Sequence, residues 1–109
     1  MDEALYNGLV AVAFKRILAA ADGFDPDVLE ADSTGDMLTL TSASRDKCIV
    51  NTQRAVKQIW VAGSGQGIHF TYEPARAQWL DDKGKGLELY GFVSDVVKAM
   101  TGEPLTYPT

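Results

Sequence analysis

Apolar residues recur at three- and four-residue spacing through Tyr6, Leu9, Val10, Ala13, Phe14, Ile17 and Ala21, which predicts a helix over residues 2–21. Asp2 and Glu3 suit the positive end of its dipole. Asn7-Gly8 is its weak point, since Gly8 costs about 1 kcal/mol relative to Ala in a helix interior. Leu5, Val12, Leu18 and Ala19 fall off the main stripe, so the helix is apolar nearly all round. Either its outer side is covered, or these are single exposed apolar residues of the ordinary kind.

Gly23, Pro26 and the surrounding aspartates end the helix, and Phe24 is expected to tuck back onto the first layer. From Val28 the period changes to two. Leu29 and Ala31 point one way, Val28, Glu30 and Asp32 the other, as in an edge strand with its carboxylates outward. Ser33-Thr34-Gly35-Asp36 turns the chain into a half-buried strand from Met37 to Ser42, with Leu38 and Leu40 against Thr39 and Thr41. Further strands are predicted at Lys47–Val50, Gln58–Ala62, Ile68–Tyr72 and Gln78–Leu80, linked by Ala43–Asp46, the glycine-rich run Gly63–Gly67 and Glu73–Arg76. Such short links pair consecutive strands antiparallel, predicting a meander of five or six strands.

After the Lys83–Gly86 turn, residues 87–100 read as a second helix, with Leu89, Phe92, Val93, Val96, Val97 and Met100 available to a core and Gly102 as its cap. Helix, strands, helix is an α+β pattern. Both helices need an apolar partner, and one face of one antiparallel sheet supplies it, giving a two-layer sandwich with the other face in water. If Ile59 and Val61 face the core, Gln58 and Trp60 stand on that open face, where a large aromatic beside an amide marks a recognition surface. The opposite phase buries Trp60 and removes the site.

At 109 residues the chain is expected to form a single domain over residues 1–109. Cys48 is the only cysteine, so neither a disulfide framework nor a zinc cluster is available, and it reads as a small core residue. No uninterrupted apolar run approaches the roughly 20 residues of a membrane span, so no membrane partner is expected. The net charge is −5. Its distribution matters more: residues 1–36 hold eight acids against Lys15 and Arg16, whereas the remainder holds seven acids against eight bases. This argues against nucleic acid and for a cation or a basic partner at the acidic end.

The candidate chemistry lies in Asp22, Asp25, Asp27, Glu30 and Asp32. Carboxylates without histidine or cysteine suit hard cations held weakly and in the open, and cannot make a tight transition-metal site. The same residues also read as a solvated acidic edge that keeps a strand from aggregating. The Gly63–Gly67 run lacks the spacing of a phosphate cradle and joins two strands, so it reads as a hairpin loop. His69 alternates out of phase with Ile68 and Phe70 and should share the face of Trp60, with a structural or interface role. Ser42 and Ser44, near Asp46, have no histidine within reach for a triad.

The Asn51-x-Gln53 run followed by Gln58-Ile59-Trp60 resembles the signature segment of the frataxin family, of the bacterial CyaY type or the mature mitochondrial one. The likeness extends to Gly35–Leu40, Cys48–Asn51, Ile68–Phe70 and Gln78-Trp79. It implies a frataxin-like sandwich and a role in iron-sulfur cluster assembly. An acidic ridge binds ferrous and ferric iron in that family, and Asp22, Asp25, Asp27, Glu30 and Asp32 match its place. Asn51, Gln58 and Trp60 match the polar and aromatic positions implicated in contact with the cysteine desulfurase and the iron-sulfur scaffold protein. His69 lies near a common His or Arg of the family, which adds it as a minor iron or partner candidate. Two departures stand out: Leu18, Ala19 and Gly23 occupy positions where the family often has further acids, and Ala55 stands where it often has proline.

The function so implied is that of an iron-binding metallochaperone or effector, a monomer without a catalytic pocket, that modulates the desulfurase. Two other readings stay open: a metal-independent interaction module of the same fold, and an iron storage or ferroxidase protein forming iron-dependent oligomers. The acids and the indole are expected on two sides of the scaffold. The compartment is the cytoplasm for a bacterial protein, or the mitochondrial matrix if a leader has been removed.

Overall fold

Asp2 starts the first helix by accepting the Leu5 amide on its Oδ1 at 2.7 Å, which satisfies one of the four free N–H groups there. The structure, a computed structural model, describes residues 1–108. Helix α1 spans Glu3–Ala21 and buries Tyr6, Val10, Ala13, Phe14, Ile17, Ala20 and Ala21, nearly the predicted stripe. Gly8 faces open space, so the packing does not require glycine there. Leu5 and Val12 stay exposed, at 54% and 55%, so among the described residues nothing covers them. By length and mean hydropathy α1 could cross a membrane although Asn7, Lys15 and Arg16 interrupt its apolar run; here its inner face is packed on the sheet.

Strands β1 (Leu29–Thr34), β2 (Met37–Ser42), β3 (Lys47–Gln53), β4 (Gln58–Gly63), β5 (Gln66–Glu73) and β6 (Gln78–Asp81) form one antiparallel sheet in chain order. Period-two alternation sends Leu38, Leu40, Cys48, Val50, Ile59, Val61, Ile68, Phe70 and Trp79 to one face. They join the buried residues of α1 and of α2 (Leu89–Thr101) in one apolar cluster. Burial pushes the Cys48 thiol up to about 12, so it stays an unreactive thiol. Phe24 packs back against this cluster as expected. The tail also closes on it: Leu105 is buried and the Tyr107 hydroxyl donates to the Tyr90 carbonyl at 2.8 Å. The Arg16 guanidinium lies 4.4 Å from the Tyr90 ring centre.

Several boundaries differ from the sequence reading. Strand β3 runs on past Val50 to Gln53, so Asn51 lies within a strand; Thr52 takes the inward position of the alternation, and three polar residues in a row hide that period. A 3₁₀ turn at Arg54–Val56 then reverses the chain, with Lys57 left-handed at φ 57°. The glycine-rich run is not a five-residue loop: Ser64 and Gly65, at φ 53° and 74°, form a two-residue turn, while Gly63, Gln66 and Gly67 belong to strands. Helix α2 begins at Leu89 because Glu88 caps it, accepting the Tyr90 and Gly91 amides at 2.8 and 3.0 Å. Glutamate is an uncommon residue at that position, so the sequence carries no usual start signal. Strand β1 begins at Leu29, one residue after Val28.

Candidate functional site

The sheet's second face is uncovered, and the pairing register lays out its residues in rows. One row reads Thr34, Met37, Asn51, Trp60, His69, and the next Asp32, Thr39, Ile49, Ala62, Gly67. Trp60 is therefore outside the core, half-buried, while the other tryptophan, Trp79, is buried at 2% exposure. The two rows are uncharged apart from Asp32 at the β1 edge, and they carry the apolar surface of Met37, Ile49, Trp60 and Ala62. Trp60, Ile49, Ala62 and Gly67 line a cleft of about 660 Å³ that opens toward the β4–β5 turn.

Several contacts steady this region. Gln58 donates through Nε2 to Thr71 Oγ1 at 3.0 Å and to Asp82 Oδ2 at 3.2 Å. Its carbonyl accepts the Tyr6 hydroxyl at 2.6 Å, which anchors the start of β4 to α1. Arg54 ties three segments together: Nε and Nη2 donate to Asp36 Oδ1 at 3.0 and 2.5 Å, and Nη1 donates to Asn7 Oδ1. The Arg54 hydrogen bond holds the Asp36 carboxyl below its ordinary range. Asp81 accepts the amides of Lys83, Lys85 and Leu87 at 3.2, 2.8 and 2.8 Å and shapes the segment before α2. Those backbone donors, Lys85 first, also hold its carboxyl low.

The acids are arranged differently. Asp22 is the C-terminal cap of α1, and Asp25 accepts the Asp27 amide at 2.9 Å in the following turn. Glu30 and Asp32 project from β1 onto the open face, so they share a side with Trp60 rather than lying opposite it. Three strand spacings, about 14 Å, separate Asp32 from the Trp60 strand. Asp27 and Glu30 line a shallow cleft of about 240 Å³ with Thr41 and Arg45. All five acids are exposed, and among the described residues no three His, Cys, Asp or Glu side chains converge to hold a metal ion. This donor set fits loosely held, exchangeable hard cations and not an enclosed centre.

The profile of the frataxin-like domain matches residues 1–103. The chain belongs to the frataxin family. It is 32% identical over 106 residues to the iron-sulfur cluster assembly protein CyaY of Tolumonas auensis, covering 97% of this chain and 98% of that one. It is 38% identical over 90 residues to the protein of the same name from Cupriavidus metallidurans, covering 83% and 78%. A frataxin from Psychromonas ingrahamii superposes with a TM-score of 0.87 at 25% identity, over the full length of both chains.

Within this frataxin, Asn51, Gln58 and Trp60 fall together on the open face, while Asp22 and Asp25 lie on the connection after α1 and only Asp27 of that connection shares a cleft with Glu30. His69 sits beside Trp60 on the neighbouring strand, as its alternation predicts. Sequence reasoning missed Arg54, Asp81 and Gly67. Only the distant Asp36 and Asn7 give Arg54 its place, and one of two adjacent aspartates before Lys-Gly-Lys-Gly looks like any turn residue. Gly67 is recognisable once β4 and β5 are in register.

Proposed function

We propose that this frataxin acts in iron-sulfur cluster assembly as a docking effector that modulates a cysteine desulfurase and its scaffold protein. The observation that carries this reading is the solvent-facing Trp60 within two rows of the open sheet face that carry no charge but Asp32, with Glu30 beside Asp32 at the β1 edge. Trp60 supplies the short-range anchor, since large aromatics dominate interface energies when desolvated. Asn51 flanks it. Gln58 presents its side chain beside it already fixed by Thr71 and Asp82, so little ordering entropy is lost on docking. The acids from Asp22 to Asp32 draw in the basic surface of the partner and gather ferrous or ferric iron weakly from solution.

The spread of those carboxylates favours a second reading, in which they serve only to attract the partner and bind no iron. Anaerobic titration with ferrous iron, followed by amide shifts, separates the two. Shifts confined to residues 22–32 support iron binding; unperturbed amides at millimolar iron leave the docking role alone. Desulfurase turnover measured with Trp60→Ala and with Glu30→Lys tests docking itself. Turnover modulation identical to the parent in both variants would discard it.

A further inference from the structure

We infer that Gly67 is a positioning residue for this docking face: it is the seat on which the Trp60 indole rests. A Cβ at Gly67 would lie 3.0 Å from Trp60 Nε1, 3.2 Å from Cζ2 and 3.3 Å from Cε2. These are three consecutive atoms along the N–H edge of the indole, so that edge occupies the space a side chain at Gly67 would take. The register explains why. Gly67 stands opposite Ala62 on the neighbouring strand, and Ala62 is two residues from Trp60, so the ring reaches it diagonally on the same face.

The backbone gives no other reason for glycine here. Gly67 is absent from the glycines with positive φ, which are Gly35, Gly65, Gly84, Gly86 and Gly102. Glycine in a strand interior loses more conformational freedom than any other residue and packs nothing. Gly63, also in a strand, differs: its Cβ would strike Val96 Cγ1 at 2.5 Å, so it is required by the core. Gly67 faces solvent, and the group it makes room for is the tryptophan of this face.

With the indole edge seated against Gly67, Trp60 lines the open cleft together with Ile49 and Ala62 before any partner arrives. A side chain at Gly67 lifts the ring, fills the diagonal site and changes the shape offered. The inference rests on Trp60 being the docking anchor, and the experiment separates the two.

Gly67→Val and the milder Gly67→Ala are compared with the parent and with Trp60→Ala. The readouts are thermal unfolding, the Trp60 indole N–H resonance, fluorescence, and affinity for the cysteine desulfurase and scaffold complex. Both Gly67 variants are expected to unfold at or above the parent temperature, because a β-branched or methyl side chain suits a strand better than glycine. The Trp60 indole signals move, and the buried Trp79 signals, an internal reference, do not. Affinity falls about tenfold in Gly67→Val and less in Gly67→Ala. Unmoved Trp60 signals in Gly67→Val would overturn the seat. So would a displaced indole with parent affinity, provided Trp60→Ala is weakened. Parent affinity in Trp60→Ala itself would instead discard the docking reading.

Discussion

The acidic connection and the Trp60 region lie on one small protein and are held by opposite means. From Asp22 to Asp32 the carboxylates are exposed, spread along a turn and an edge strand, and joined to little besides their own local backbone. Around Trp60 several groups are fixed from elsewhere: Gln58 by Thr71 and Asp82, its carbonyl by Tyr6, the preceding turn by Arg54 with Asp36 and Asn7. The first region acts through its field, which needs charge but no particular geometry. The second acts through shape, which needs geometry above all.

Trp60→Ala should break the comparison most. It is expected to weaken docking by about 2 kcal/mol or more, measured by titration calorimetry, with little effect on thermal unfolding because the indole lies outside the core. Tyr6→Phe removes the hydroxyl that holds the start of β4 and is expected to lower stability by about 1 kcal/mol in urea unfolding. That loss should leave iron-induced shifts at residues 22–32 untouched.

Acid sharpens the contrast further. Asp36 and Asp81 titrate below the ordinary carboxylate range when folded, so each contributes stability that is present above the unfolded pKa of about 4. This is lost as pH falls through the lowered folded values. Thermal midpoints should drop below about pH 4 in the parent. Asp81→Asn should lower the midpoint at neutral pH and flatten that acid-side drop.

Glu30→Lys is expected to have the smallest effect. It should slow association with the partner a few-fold at low salt, leave dissociation unchanged, and lose its effect as ionic strength rises. Stopped-flow mixing at two salt concentrations measures it.

Much of this was legible in the chain. The three- and four-residue spacing of α1, the alternation of β2 and β4 and the turn residues between strands place the elements, because each reflects a local period or a local backbone preference. The phase of Ile59 and Val61 also put Trp60 outside. The end of β3 was not legible, since Asn51, Thr52 and Gln53 are polar and only their pairing with Met37, Trp60, Ile59 and Gln58 makes them a strand.

The amino-acid sequence by itself determined the two-layer architecture, the acid-rich first third and the unequal faces of the Trp60 strand, since these depend on periods and charges read within a few residues. Only the tertiary structure decided that Glu30 and Asp32 share a face with Trp60, that Arg54 reaches Asp36 and Asn7, and that Gly67 underlies the indole. Those follow from strand register and close approach between residues distant along the chain. A shift of register by one residue would have turned Glu30, Asp32 and Trp60 to the other face of their strands.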